Sequence, residues 1–309
     1  MPKISYIDRA FAPGTQAIID RANVILAEYE AQGFDLTLRQ LFYQFVARGW
    51  IANREREYKR LGSIINDARL AGLIDWDRIS DRTRELEEKP YWAGPRDVIA
   101  SAARQFRTDV WANQPCRPEV WIEKDALTGV IAGVCEELAV PYFSCRGYVS
   151  QSSMWANAQR LAGYHANGQD AIVLHLGDHD PSGIDMTRDI QARLDLFVGN
   201  VEVRRLGLSM DQVRQYGPPP NPAKITDSRF AGYLAEYGRE SWELDALQPQ
   251  VIAALIRDAV QGDLIDEADW RQAQADQERG RGLLQRTARH WGDVADLIDV
   301  LDGEGGQDG

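Results

Sequence analysis

Three carboxylates stand where short apolar runs end: Glu123 after residues 120–122, and Asp178 and Asp180 after residues 171–176. Runs of this length read as strands, and 171–176 is apolar almost throughout, as expected of a strand buried on both faces. In a parallel α/β sheet the carboxyl ends of the strands lie along one edge, where ligands bind. Acids gathered there repel one another unless a cation sits between them. An all-oxygen donor set suits Mg²⁺ or Mn²⁺ rather than zinc. In Asp178-His179-Asp180-Pro181-Ser182-Gly183, Pro181 restricts the backbone and Gly183 frees it, which keeps two carboxylates on a tight turn. Plainer roles compete. An Asp-rich turn also forms by side-chain hydrogen bonding to its own backbone, and Glu123 beside Lys124 also reads as a surface ion pair. His179 also reads as solvated, and His175, inside an apolar strand, as a core histidine.

The elements that must position these acids follow from periodicity. Leu127, Val130, Ile131, Val134 and Leu138 have helical spacing. Strands are expected over 141–145, 171–176 and 201–206, with helices over 153–165 and 185–197. This βαβαβαβ order predicts a mainly parallel four-stranded sheet covered by helices. Beyond residue 208 the chain reads as mostly helical, and its 251–260 stretch is expected to cap the sheet rather than to dimerise.

The first hundred residues read as helices. One covers 16–32. Thr37 sits three residues before Gln40, a capping-box signature for a second helix over 38–48. Leu38, Leu41, Phe42 and Phe45 form its apolar stripe, at about 100° per residue. Tyr43 lies about 140° from Leu38, outside the stripe, with Arg39 one turn behind it on the same side. A third helix over 55–71 buries Tyr58, Leu61, Ile64, Ile65 and Ala68, and stops at Gly72. Residues 73–84 alternate loosely and are expected to form a small hairpin carrying Arg78, Arg82 and Arg84. Three helices and a hairpin outline a winged-helix domain; an ordinary helical bundle with a solvated basic face fits the same pattern. The expected division is a winged-helix domain over 1–110, then an α/β domain over 111–309 with its core at about 117–208 and a helical C-terminal extension.

Composition excludes several classes. Of 309 residues, 44% are hydrophobic and 27% charged, which rules out wholesale disorder. No apolar run approaches the ~18–20 residues of a membrane span, and residues 1–5 lack the apolar stretch of a secretory signal. Cys116, Cys135 and Cys145 are an odd number without a CxxC pair, so the expected setting is reducing and cytoplasmic. The net charge of −12 is uneven: residues 1–110 carry 17 basic and 16 acidic side chains, the rest 18 and 31. Local charge decides whether a surface attracts phosphate. Arg54, Arg56, Lys59, Arg60, Arg69 and Lys124 are the candidate phosphate contacts, each adding salt dependence rather than sequence readout. Taken singly, each also reads as an ordinary surface or ion-paired residue.

Strand–Glu123–Lys124–helix followed by strand–Gly177–Asp178–His179–Asp180–Pro181–Ser182–Gly183 resembles a Toprim domain, the metal-binding fold of topoisomerases, primases and certain nucleases. The Asp-x-Asp-Pro-x-Gly form resembles the topoisomerase VI A subunit and the meiotic double-strand-break transesterase. Arg146-Gly147-Tyr148, Leu206-Gly207-Leu208 and Glu243-Leu244-Asp245-Ala246-Leu247 resemble further segments of that family, in the same order. Arg39-Gln40-Leu41-Phe42-Tyr43 resembles its Arg-x-x-Tyr-Tyr motif, which maps the DNA-attacking tyrosine onto Tyr43. The likeness spans about residues 37–250. It departs at Phe42, which replaces the first tyrosine, and in length, with no ATPase segment; the short orphan homologues called mini-A are similar in this.

The resemblance implies a DNA strand-breaking transesterase. Tyr43 would attack a phosphodiester to leave a 5′-phosphotyrosyl link, with Arg39 on the phenolate or the phosphate. Mg²⁺ or Mn²⁺ would be held by Glu123, Asp178 and Asp180. It further implies double-stranded DNA as substrate, a homodimer in which the tyrosine of one protomer works with the metal site of the other, an ATPase B-type partner, nucleoid association and no membrane. Two other readings stay open: a Toprim nuclease using metal-activated water, and a non-catalytic DNA-binding subunit.

Overall fold

A computed structural model describes residues 3–79 and 91–304. The chain runs α1 (Pro13–Glu30), α2 (Leu38–Ala47), α3 (Glu55–Leu70), α4 (Pro95–Gln105), β1 (Cys116–Ile122) and α5 (Thr128–Glu137). It continues with β2 (Tyr142–Ser144), α6 (Gln151–Ala166), β3 (Asp170–Leu176), α7 (Pro181–Phe197), β4 (Glu202–Gly207) and α8 (Met210–Tyr216). The last part holds β5 (Asn221–Pro222), α9 (Phe230–Tyr237), β6 (Glu240–Ser241), α10 (Pro249–Asp263), α11 (Glu267–Arg289) and α12 (Trp291–Glu304). Contacts divide it into two compact units, Met1–Arg84 with Cys116–Leu264, and Glu85–Pro115 with Ile265–Gly309. In the second, α4 packs on α11, and the rings of Trp111 and Trp270 meet edge to face at 5.2 Å.

The first unit carries every candidate site residue. Its sheet has the order β2-β1-β3-β4, and all neighbours are parallel. Register sets Ile122 beside Leu176, and His175 beside Arg205, so the residues after β1 and β3 leave the sheet at one edge. Trp121, Ala171 and Val173 pack with Met154 and Leu161 of α6 and with Ile190 and Leu194 of α7. The alternate residues Val120, Ile122, Ile172 and Leu174 are buried as well. α5 and α10 pack on each other and against β2 and β4 respectively, so the stretch around 251–260 caps the sheet. Burial of both faces explains why β3 reads as one apolar run.

The three N-terminal helices form where periodicity places them. The capping box of α2 is complete: Gln40 N–H donates to Thr37 Oγ1 at 3.2 Å, and Thr37 N–H to Gln40 Oε1 at 2.9 Å. Ile19, Ile25, Leu41, Phe45, Leu61 and Ile65 make their core, which Ala246 joins from the far end of the chain. The expected hairpin over 73–84 does not form across its described part. Trp76–Arg78 is a 3₁₀ turn, and Ile79 makes a single bridge to Leu36. Asp75 caps that turn by accepting from Asp77 N–H at 2.9 Å, a local hydrogen bond that competes with strand pairing. Arg82 and Arg84 lie outside the described residues. Among the described residues no helix is long and apolar enough to cross a membrane.

One polar cluster sits inside the sheet packing. Glu119, in mid-β1, is 1% exposed. It accepts from Arg160 Nε and an Arg160 terminal nitrogen at 2.7 and 2.8 Å, from Trp121 Nε1 at 2.9 Å and from the Tyr164 hydroxyl at 3.0 Å. Burial, then the charge of Glu119, pushes the Tyr164 phenol up to about 12. Replacing Glu119 by Ala orphans these donors at once. We expect the Glu119→Ala variant to lose about 3 kcal/mol in urea unfolding, at the lower end of what breaking a buried ion pair costs, because half-exposed Arg160 regains some water.

Candidate active site

The acids meet as the strand ends dictate. Glu123 Oε2 accepts the Asp178 N–H at 2.9 Å, which holds the end of β1 against the turn after β3. Gly177 allows this, since a Cβ there would lie 3.0 Å from Glu123 Oε2 and 3.1 Å from His175 Cε1. Asp178 is 7% exposed. Its Oδ1 accepts from Leu244 N–H at 2.7 Å and its Oδ2 from Lys124 Nζ at 2.9 Å. Asp180 caps α7, with Oδ1 accepting from Gly183 N–H at 2.6 Å and from Ser182 Oγ at 3.0 Å. That cap starts α7 at Pro181, four residues before the expected 185. Gly183 is required by close approach rather than by backbone angle: a Cβ there would collide with the Asp178 carbonyl.

Lys124 is the hub. Its ammonium lies 2.9 Å from Asp178 Oδ2, 2.9 Å from Glu243 Oε2 and 3.0 Å from Asp245 Oδ1. Burial disfavours the charged amine, but Asp245, Asp178 and Glu243 outweigh it and hold Lys124 above the ordinary lysine value. The surface ion pair between Glu123 and Lys124 therefore does not form. Arg39 completes the far side, 2.7 Å from Glu243 Oε2 and 3.2 Å from Asp245 Oδ2. Although burial opposes it, Glu243 is held down at about 2 by Lys124 and Arg39. Asp245 is raised by burial, against the pull of Lys124. Glu123 and Asp178 are raised too, burial being the largest cause in each.

Tyr43 touches the same cluster. The α2 helix packs against the Leu244–Ala246 turn, which buries a residue the amphipathic stripe leaves out; Tyr43 is 3% exposed. Its phenol is pushed up to about 12 by burial, then by the charges of Asp245 and Glu243, with Arg39 opposing. Tyr43 lines a cavity of about 420 Å³ together with Arg39, Phe42, Asn53, Arg54, Lys59 and neighbouring residues. Asn53 of the α2–α3 connection donates to Asn221 Oδ1 at 2.6 Å, closing one side.

The structure thus brings Tyr43, Arg39, Glu123, Lys124, Asp178 and Asp180 into one region and spreads the remaining candidates. Arg54 and Lys59 line the cavity, Lys59 with its ammonium 2.8 Å from Glu55. Arg56 is exposed on α3, and Arg60 pairs with Glu57 at 3.3 Å. Arg69 faces away: it donates to the Trp76 and Ile79 carbonyls and stacks on the Trp76 ring at 4.9 Å. Lys124, expected on a phosphate, is instead shared among three carboxylates. His179 is buried rather than solvated, its Nδ1 2.8 Å from the Tyr233 hydroxyl. His175 is a core residue, with Nδ1 2.8 Å from Thr187 Oγ1.

Glu243, Asp245 and Arg205 are site residues that sequence reasoning leaves unassigned. The signal for the first two is two acids inside an otherwise apolar segment. For Arg205 it is a basic residue near the end of a strand beside β3.

With the geometry in hand, comparison with known proteins gives no assignment: no family model matches the chain, and no curated protein matches it.

Five carboxyl groups, Glu123, Asp178, Asp180, Glu243 and Asp245, act on one another within reach of three cations, Lys124, Arg39 and Arg205. With every group ionised, two negative charges are left over, which the oxygen chemistry of a hard divalent ion suits. Among the described residues, no group of three His, Cys, Asp or Glu side chains is already arranged around a metal-sized point. Asp178, Glu243 and Asp245 are drawn in around Lys124 instead.

Two outcomes follow. Lys124→Met removes the ammonium that three acids share, and we expect a loss of about 3–5 kcal/mol in urea unfolding, part of which the double variant with Asp245→Asn recovers. Burial, then Arg205, lowers His175 to about 3. The unfolded chain takes up that proton below about pH 6.5, and the folded chain resists until about 3. Wild-type stability relative to His175→Gln should therefore fall as pH drops through this window, approaching about 1.4 kcal/mol per unit, in urea titrations from pH 7 to 4.

Proposed function

We propose that the chain binds and cleaves double-stranded DNA as a transesterase of the topoisomerase VI A type, with Tyr43 as nucleophile. The observation that carries this reading is the position of Tyr43. It lines a cavity shared with Arg39, Arg54 and Lys59, and it borders the carboxylate cluster that includes Asp178. The cavity is within the usual size range of small-ligand sites. The parallel sheet with its acidic edge supports a Toprim-like core, and α1–α3 support a helical DNA-binding module.

In this reading Arg54 and Lys59 draw in the phosphates, and Arg39 fixes the scissile one beside Tyr43 by paired charge-assisted hydrogen bonds. Burial keeps the phenol protonated in the free protein, so attack awaits a bound phosphate that brings Tyr43 and Arg39 into line. The Tyr43 oxygen bonds to phosphorus as its proton leaves to solvent. The bond to the 3′ oxygen breaks, and that oxygen takes up a proton. Glu123, Asp178 and Asp180 would hold Mg²⁺ or Mn²⁺, which when bound stabilises charge on the phosphate oxygens. Two copies would cut both strands, and an ATPase B-type subunit is the partner that would regulate them. A second reading, a nuclease that uses a metal-activated water, is favoured by one observation: Tyr43 is only 3% exposed.

End-labelled duplex incubated with Mg²⁺ or Mn²⁺ and then denatured separates these. Protein-linked 5′ ends that disappear in Tyr43→Phe and in Asp178→Asn are the expected outcome. Free ends that persist in Tyr43→Phe would establish the nuclease. Binding without cleavage under either metal, unchanged in Asp178→Asn, would leave a DNA-binding subunit.

A further inference from the structure

Arg205 of β4 reaches across to the turn that carries Asp178 and Asp180, and almost all of its hydrogen bonds there end on main-chain oxygens. One terminal nitrogen donates to the Gly177 carbonyl at 3.1 Å, the Asp178 carbonyl at 2.6 Å and the Leu208 carbonyl at 3.2 Å. The other donates to the Gly183 carbonyl at 2.9 Å and to Thr187 Oγ1 at 2.7 Å, and Nε donates to the Leu208 carbonyl at 3.3 Å. Gly177, Asp178 and Gly183 bracket the acidic turn. A single rigid guanidinium therefore fixes both ends of it against β4. Such a fork cannot be reproduced by a lysine, which has three donors on one atom.

The carbonyls it binds point inward, so the turn's amides are free to act on the other side. Asp178 N–H goes to Glu123, His179 N–H to the Trp242 carbonyl at 2.8 Å, and Gly183 N–H to Asp180. Without the guanidinium, the carbonyls of Gly177, Asp178 and Gly183 would lose their charged partner together. The arrangement also sets a positive charge under Glu123, Asp178 and Asp180, all of which act on it.

We propose that Arg205 is the positioning residue of the acidic turn: it holds Asp178 and Asp180 in register with Glu123 by clamping the turn's carbonyls, without touching a substrate itself. Its consequence for metal binding rests on the function proposed above; the clamp itself does not.

The test is hydrogen exchange by mass spectrometry on the full chain, together with Mn²⁺ titration by calorimetry. In Arg205→Met we expect peptides covering 177–183 to exchange at least tenfold faster while β1 and the 171–176 part of β3 keep their protection. Mn²⁺ should bind at least tenfold more weakly. Arg205→Lys should recover only part of both. Arg160→Lys, which disturbs the distant Glu119 cluster, should leave both unchanged. If Arg205→Met does not fold, Thr187→Val removes one anchor of the guanidinium and should loosen the same peptides to a smaller degree. Unchanged exchange at 177–183, or a rise spread evenly over the whole sheet, overturns the proposal. If the wild type takes up no Mn²⁺ while the local exchange effect appears, the metal reading falls and the clamp stands.

Discussion

The first unit is organised around one buried ammonium. Lys124 leaves β1 at the sheet edge and is shared by Asp178, Glu243 and Asp245, which arrive from two distant parts of the chain. Two of these acids are nearly inaccessible, at 7% and 3% exposure for Asp178 and Asp245. Carboxylates so placed would be neutral or would push the segments apart unless a cation met them. Because Arg39 binds the same Glu243 and Asp245, the pairing that satisfies Lys124 also seats α2, and with it Tyr43, against the acidic edge. Clusters of this kind are poor sources of net stability, yet removing one member is costly because it leaves a buried charge unpaired.

The sheet supplies the frame for that cluster. Parallel neighbours send Glu123 and the Asp178 turn out of the same edge, and hydrogen bonds from the turn fasten both to each other and to the 242–244 segment. Each tight contact has its own local device. Gly177 and Gly183 leave room where a side chain would strike Glu123 or a carbonyl, and Asp180 starts α7. Arg205 then binds the carbonyls that these contacts turn inward. Of the three acids proposed for a divalent ion, Asp178 is the one that also holds the Lys124 ammonium, so amine and metal would compete for that carboxylate.

Much of this was legible in the sequence because it is local or periodic. The capping box at Thr37 and Gln40, the apolar run of β3 and the alternation of strands and helices each follow from neighbours a few residues apart. The juxtaposition of Glu123 with Asp178 was also legible, since a parallel sheet has one carboxyl edge. What escaped depends on long-range pairing. Tyr43 is buried by the Leu244–Ala246 turn, some two hundred residues away, which no helical wheel reveals. Lys124 reads as a phosphate ligand until Glu243 and Asp245 are seen beside it. His179 reads as solvated until Tyr233 and Trp242 close over it. Residues 73–84 alternate loosely like a hairpin, but in their described part Asp75 caps a 3₁₀ turn at Trp76–Arg78.

The charge state and environment of Lys124 are read most directly by ¹⁵N NMR of the lysine side-chain nitrogens. The chain has five lysines, Lys3, Lys59, Lys89, Lys124 and Lys224, and the Lys124→Met spectrum assigns the signal in question. Lys124 should give an ammonium resonance that is shielded from rapid exchange near neutral pH and remains protonated beyond the pH at which ordinary lysines titrate. A Lys124 signal that exchanges like a solvated amine, or titrates at or below the ordinary lysine value of about 10.4, would contradict it.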